Sequence, residues 1–126
     1  MQVPFLNLRS QHRKISAELE LEFRKIIETC NFCSGPTVEE FESKFSQFIQ
    51  AKHTVGVNSG TSALHLSLLA CGIGMGDEVI VPAMSFLASL ACIEYANASP
   101  VVVDVESDTY CIDPSKVESD ITPKTK

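Results

Sequence analysis

Basic residues are scarce. Lys and Arg total 10 against 16 Asp and Glu in 126 residues, a formal net charge of −6, and nowhere do they cluster. That excludes a nucleic-acid footprint, because phosphate backbones are gripped by grouped basic side chains. Long apolar runs are missing too, so nothing resembles a membrane span. The opening MQVPFLNLRSQ lacks the basic start and continuous apolar stretch of a secretory signal, and the expected compartment is the cytoplasm. Five cysteines are an odd number, and without an export signal they imply reduced thiols, not a disulfide framework. His12, His53 and His65 are scattered, and no second ligand pair stands near Cys30 and Cys33, so no metal site is readable. That C-x-x-C ends a helix, where a thioredoxin-like pair would open one after a strand; its thiols read as small buried hydrophobes. A generic nucleotide binder is disfavoured, since neither G-x-G-x-x-G nor a Walker loop occurs.

What is present is a core-forming chain, 44% hydrophobic and long enough for one globular domain. Ile15, Leu19, Phe23, Ile26, Ile27 and Cys30 recur at three- and four-residue steps, which predicts a helix from about Arg9 to Cys30 with one apolar stripe. Glu18, Glu20, Glu22, Arg24, Lys25 and Glu28 supply its solvated faces. A Ser-Gly-Pro turn follows. Thr37 with Glu40 three residues on reads as a capping box opening a second helix to about Gln50, with Val38, Phe41, Phe45, Phe48 and Ile49 on its buried side.

The remainder is organised around residues 54–69, where TVGV, NSGTSA and LHLSLL follow without a break. The first run predicts a short buried strand, the second a turn, the third a buried helix. Amides at a helix N-terminus lack intrahelical acceptors and carry the positive end of the helix dipole, so Gly60, Thr61 and Ser62 form a seat for a phosphate. A plain N-cap accounts for the same residues. Helix-stop glycines at 72, 74 and 76 precede a strand at Glu78–Val81 that Pro82 stops. An apolar stretch from Phe86 to Ala96 predicts another buried helix, Val101–Val105 a third strand, and Asp113-Pro114 the N-cap and first turn of a last helix. Strands alternating with helices predict an α/β fold with a mainly parallel sheet.

Four stretches together resemble the start of the DegT/DnrJ/EryC1/StrS sugar aminotransferases, pyridoxal-phosphate (PLP) enzymes of fold type I. They are VPFLNLRSQ, SGPTVEEFESKF, VGVNSGTSALHLSLLACGIGMGDEVIVPAMSFLAS and PVVVDVESDTYCIDPSKVESDITPKTK, and they cover nearly the whole chain in the family's order. The resemblance implies a three-layer α/β/α, aspartate aminotransferase-like large domain, of which residues 1–126 would be the N-terminal portion: helices over 1–50, then the start of the α/β core over 51–126. It also implies that Gly60, Thr61 and Ser62 hold the phosphate of pyridoxal 5'-phosphate and that Phe86 stacks on its pyridine ring. Asn7 stands where the family often has an acidic residue.

The function so implied is transfer of an amino group, from L-glutamate, to a nucleotide-diphosphate-linked keto-deoxysugar by a homodimer whose site is completed by the neighbouring subunit. The family's Schiff-base lysine has no counterpart here: Lys52, Lys116, Lys124 and Lys126 lie outside its motif, so no catalytic residue is expected within these residues and the 126-residue chain alone is expected to be inactive. The alternative is a truncated, inactive chain acting at most as an interaction or dimerisation module.

Overall fold

The computed structural model describes residues 3–126. It divides into two compact units, Met1–Gly56 and Val57–Lys126.

The first unit is helical. Helix α1, Leu8–Thr29, opens at Asn7, whose side chain accepts the Ser10 amide, and closes at Cys30 in the left-handed conformation (φ 54°). Asn7, placed by resemblance in the opening motif, is therefore an ordinary N-cap in this fold. Helix α2, Pro36–Phe48, does not use the expected capping box. Gly35 is its N-cap, at φ 88°, and its carbonyl accepts the Val38 and Glu39 amides. Pro36, with φ already fixed near the helical value, occupies the first turn, and this displaces Thr37 from the capping position. Glu40 pairs instead with Lys44 one turn on. No residue of α1 or α2 is buried. On α2, Phe41 and Phe45 stack with ring centroids 5.7 Å apart.

The expected strand at 54–57 does not form. Val55 is 79% exposed, and the lead's backbone turns to α2: the Thr54 hydroxyl donates to the Glu42 carbonyl and the Gly56 amide to Glu42 Oε1, both at 2.6 Å. A strand needs a neighbour offering a ladder of backbone groups, and a helix side chain supplies only one acceptor at a time.

In the second unit, helix α3, Gly60–Ala70, ends in a Schellman motif: Cys71 is the C-cap, Gly72 takes φ 74°, and the Gly72 and Ile73 amides return to the Leu69 and Leu68 carbonyls. Strand β1, Glu78–Pro82, follows, then helix α4, Leu87–Tyr95, strand β2, Ser99–Val103, and helix α5, Pro114–Asp120. The strands pair in parallel with Glu78 opposite Ser99 and Pro82 opposite Val103, so the parallel sheet read from the sequence is present. Among the described residues it has two strands instead of three, and the second runs two residues ahead of the expected span, pairing from Ser99 and ending at Val103, while Val105 bridges Ile112. As expected, Asp113 caps α5 by accepting the Ser115 amide, with Pro114 in the first turn.

The core lies here. Val81, Cys92, Ile93 and Ala98 form a buried cluster on which Leu68, Ile73, Val79 and Leu90 pack. Helix α4 buries Cys92 and Ile93, yet Leu87 is exposed at one end and Tyr95 at the other. Helix α3 was expected to be buried and is not: Leu64, Leu66 and Leu69 are all about half exposed. Its main packing partner is α4, and Leu68 also reaches the core cluster that includes Val81 of β1, so only one side of an almost wholly apolar helix is covered. An edge-on contact between His65 and Tyr95, centroids 5.8 Å apart, belongs to that pairing.

Candidate functional site

Ser59 ends the lead in an extended conformation, and its hydroxyl oxygen accepts the Ser62 amide at 3.1 Å. The Ala63 amide goes to the Ser59 carbonyl. Among the described residues the Gly60 and Thr61 amides have no acceptor, and they point out of the positive end of α3. Of the three residues singled out from the sequence, two therefore offer free backbone donors. The third, Ser62, has its amide in use and offers a hydroxyl. No acidic residue stands in the first turn of α3. A Cβ placed on Gly60 would meet nothing within 4 Å, so the space above the turn is open.

Asn58 is the residue that sequence reasoning missed. Ser59 donates its hydroxyl proton to Ser62 Oγ at 3.0 Å, and Ser62 donates in turn to Asn58 Oδ1 at 2.7 Å. The chain of hydroxyls is satisfied within the turn, and an incoming anion would take the Ser62 proton from Asn58. An amide side chain directly before Ser-Gly-Thr was the available signal, since Asn readily bonds to groups a few residues on.

Phe86 is the N-cap of α4, four residues beyond the end of β1, in an extended conformation with its ring 79% exposed. The flat face of the ring is thus free to meet a planar ligand. The apolar hollow lined by Leu64, Leu68, Val79, Val81, Cys92 and Ile93 includes none of residues 58–62 and belongs to the packing between α3, β1 and α4.

The lysines do not suit covalent chemistry. All are exposed. Lys116 donates to Asp104 at 2.9 Å, and this hydrogen bond, with the aspartate's charge, holds the ammonium protonated above its usual range. Glu40 does the same to Lys44. A nucleophilic lysine needs the opposite, a pKa lowered by desolvation or by another cation. Cys30, Cys33, Cys71 and Cys111 are exposed and only Cys92 is buried, which corrects the expectation that the C-x-x-C thiols are buried: the turn after α1 carries them on a unit without a closed core. Among the described residues no group of three or more His, Cys, Asp or Glu is placed to hold a metal, and no helix is long and apolar enough to cross a membrane.

Residues 13–126 match the DegT/DnrJ/EryC1/StrS aminotransferase family. The chain belongs to that family. A dTDP-3-amino-3,4,6-trideoxy-alpha-D-glucose transaminase of Streptomyces venezuelae is 40% identical over 124 residues, 98% of this chain and 33% of its own length. A 3-oxo-glucose-6-phosphate:glutamate aminotransferase of Bacillus subtilis is 41% identical over 102 residues, 81% of this chain and 23% of its own. The crystal structure of ntda from Bacillus subtilis, with the cofactor PMP bound, superposes with a TM-score of 0.93 at 36% identity, over 99% of this chain and 29% of that one. The fold is thus that of a DegT/DnrJ/EryC1/StrS aminotransferase, and the chain spans about a third of the length of such relatives.

Proposed function

We propose that this chain is the cofactor-phosphate-holding, N-terminal part of the large domain of a PLP-dependent sugar aminotransferase, with residues 1–50 its N-terminal helices and 51–126 the start of its α/β core. The observation that carries the reading is the open N-terminus of α3, where the Gly60 and Thr61 amides lack acceptors, in a chain of this family.

The donor set suits a dianionic phosphate. Two unpaired amides stand at the positive end of a helix whose first turn also carries the hydroxyls of Thr61 and Ser62 and no carboxylate. Ser62 re-aims its hydroxyl from Asn58 to the anion, and Ser59 stays in place as the cap. Phe86 offers its face to the pyridine ring. Bound PLP supplies the electron sink through which an amino group passes from L-glutamate to a nucleotide-linked keto-deoxysugar. The residues of this chain bind and orient, and none of its exposed lysines is set to attack the cofactor, so the 126-residue chain by itself does not turn over. The complete enzyme is a cytoplasmic homodimer in this reading, and the uncovered stripes of α1 and α2 suit a subunit interface.

The test is cofactor retention. PLP absorbance persisting after dialysis and lost in a Thr61→Ala/Ser62→Pro double variant of unchanged circular dichroism supports the proposal; equal retention by both contradicts it. Transfer of an amino group from glutamate to a keto sugar by the isolated chain would contradict the claim of inactivity.

The half-exposed leucines of α3 favour one second reading, a non-catalytic chain that associates through its apolar faces. Such a chain would sediment as an oligomer and take up no PLP.

A further inference from the structure

Glu42 stands apart from the other acids of the helical unit. Glu18, Glu20, Glu22, Glu28, Glu39 and Glu40 are exposed, whereas Glu42 is half-buried and turned toward the chain's own backbone. Its Oε1 accepts the Gly56 amide and its main-chain carbonyl accepts the Thr54 hydroxyl, each at 2.6 Å. Among the described residues no other hydrogen bond reaches residues 54–57. A Cβ on Gly56 would lie 3.3 Å from that same carboxylate oxygen and 3.6 Å from Val38 Cγ1, so a glycine there permits the close approach.

This lead is irregular backbone without a sheet neighbour, and the bonded Gly56 lies two residues before Asn58. A charged acceptor on a main-chain N–H is among the stronger hydrogen bonds available, and fixing one amide removes freedom from the peptides that follow it. We infer that Glu42 is a positioning residue for the phosphate turn: its carboxylate and carbonyl hold Thr54–Gly56 so that the next residues present the Gly60 and Thr61 amides as an ordered pair. The inference rests on the reading of that turn as a phosphate seat. Its prediction is that Glu42, which touches no ligand, sets affinity for a phosphorylated ligand through backbone order.

The experiment uses the 126-residue chain, with backbone amide exchange followed by NMR and binding of pyridoxal phosphate followed by its absorbance. In Glu42→Ala, exchange at Gly56 rises by about tenfold or more, as befits loss of a charge-assisted bond. Exchange in the middle of α2 stays unchanged, and affinity for pyridoxal phosphate falls about tenfold while that for unphosphorylated pyridoxal does not move. Glu42→Gln keeps an oxygen acceptor and recovers most of the affinity, a rescue that mere destabilisation of α2 would not show. Thr54→Val cuts the second bond without altering α2 and gives a smaller loss in the same direction; it carries the test if Glu42→Ala fails to fold. Unchanged exchange at Gly56, or a rise there with unchanged affinity, overturns the role of Glu42. A wild-type chain that takes up no pyridoxal phosphate overturns the phosphate seat and this inference with it, whereas wild-type binding that Glu42→Ala leaves intact sinks Glu42 alone.

Discussion

Residues 3–56 carry their apolar residues as stripes on two amphipathic helices and residues 57–126 carry two almost wholly apolar helices, and every buried residue lies in the second set. The first has two amphipathic helices of 22 and 13 residues with no buried side chain. The second has shorter helices, but two paired strands pack on α4, Val81 of β1 meeting its Cys92 and Ile93. An amphipathic stripe states a need for a partner; a sheet, by pairing strands distant in sequence, provides one. The same contrast runs inside the second unit. Helices α3 and α4 are equally apolar, yet α4, packed on both strands and on α3, buries two residues while α3, packed mainly on α4, buries none.

The comparison breaks most readily at Ile93, 2% exposed. Ile93→Ala removes packed methylenes and leaves a cavity, and is expected to cost about 2–5 kcal/mol in urea unfolding. Phe23→Ala on α1, where the ring is 63% exposed, is expected to cost well under half as much, since little area leaves water on folding. Equal losses would mean that α1 has a partner in the folded chain in solution.

Cofactor affinity sharpens the contrast between packing and site. Ser59→Ala is expected to cost about 1 kcal/mol through loss of the N-cap on Ser62, and to weaken pyridoxal phosphate binding as the first turn frays. Leu66→Ala, half exposed in the middle of the same helix, should leave binding within about twofold on the usual scale of surface changes. A larger effect at Leu66 than at Ser59 would argue that helix stability in general, and not the turn, governs affinity.

The smallest effect concerns acid. Asp104 is held below the usual carboxylate value by the Lys116 hydrogen bond, and Asp113 by its bond from Ser115. Depressed values mean that these carboxylates favour the folded state at neutral pH, with the contribution lost as pH falls below about 4, through their folded values. Asp104 is exposed and Asp113 only partly covered, so the effect is local and screened by salt. Fraying of α5 is expected on acidification over that range, with a shallower pH dependence in Asp104→Asn. Followed by the Val117 amide exchange rate, an identical profile in that variant would remove Asp104 from the account.

Much of this was legible in the sequence because it is encoded locally. The Schellman stop of α3 is written in Gly72 and Ile73, the Asp113 cap in Asp-Pro, and the parallel pairing in the return of an apolar run after α4. The capping box failed because Thr37 and Glu40 satisfy a local rule that Gly35-Pro36 satisfies two residues earlier. The strand at 54–57 failed because β-branched residues state a preference for extended backbone but not the existence of a neighbour. At the site, Gly60, Thr61, Ser62 and Phe86 follow from the motif, whereas Asn58 and Glu42 act through hydrogen bonds visible only once the chain is folded.

The central claim is that the open N-terminus of α3 holds a phosphate. It is tested most directly by titrating the isotopically labelled chain with pyridoxal phosphate, inorganic phosphate and unphosphorylated pyridoxal while following the Gly60 and Thr61 amides by NMR. Both amides are expected to shift downfield with the two phosphates and to stay in place with pyridoxal, the Ser62 amide moving less because Ser59 already occupies it. Amides at 60 and 61 unmoved by either phosphate, or moved equally by pyridoxal, would contradict the claim.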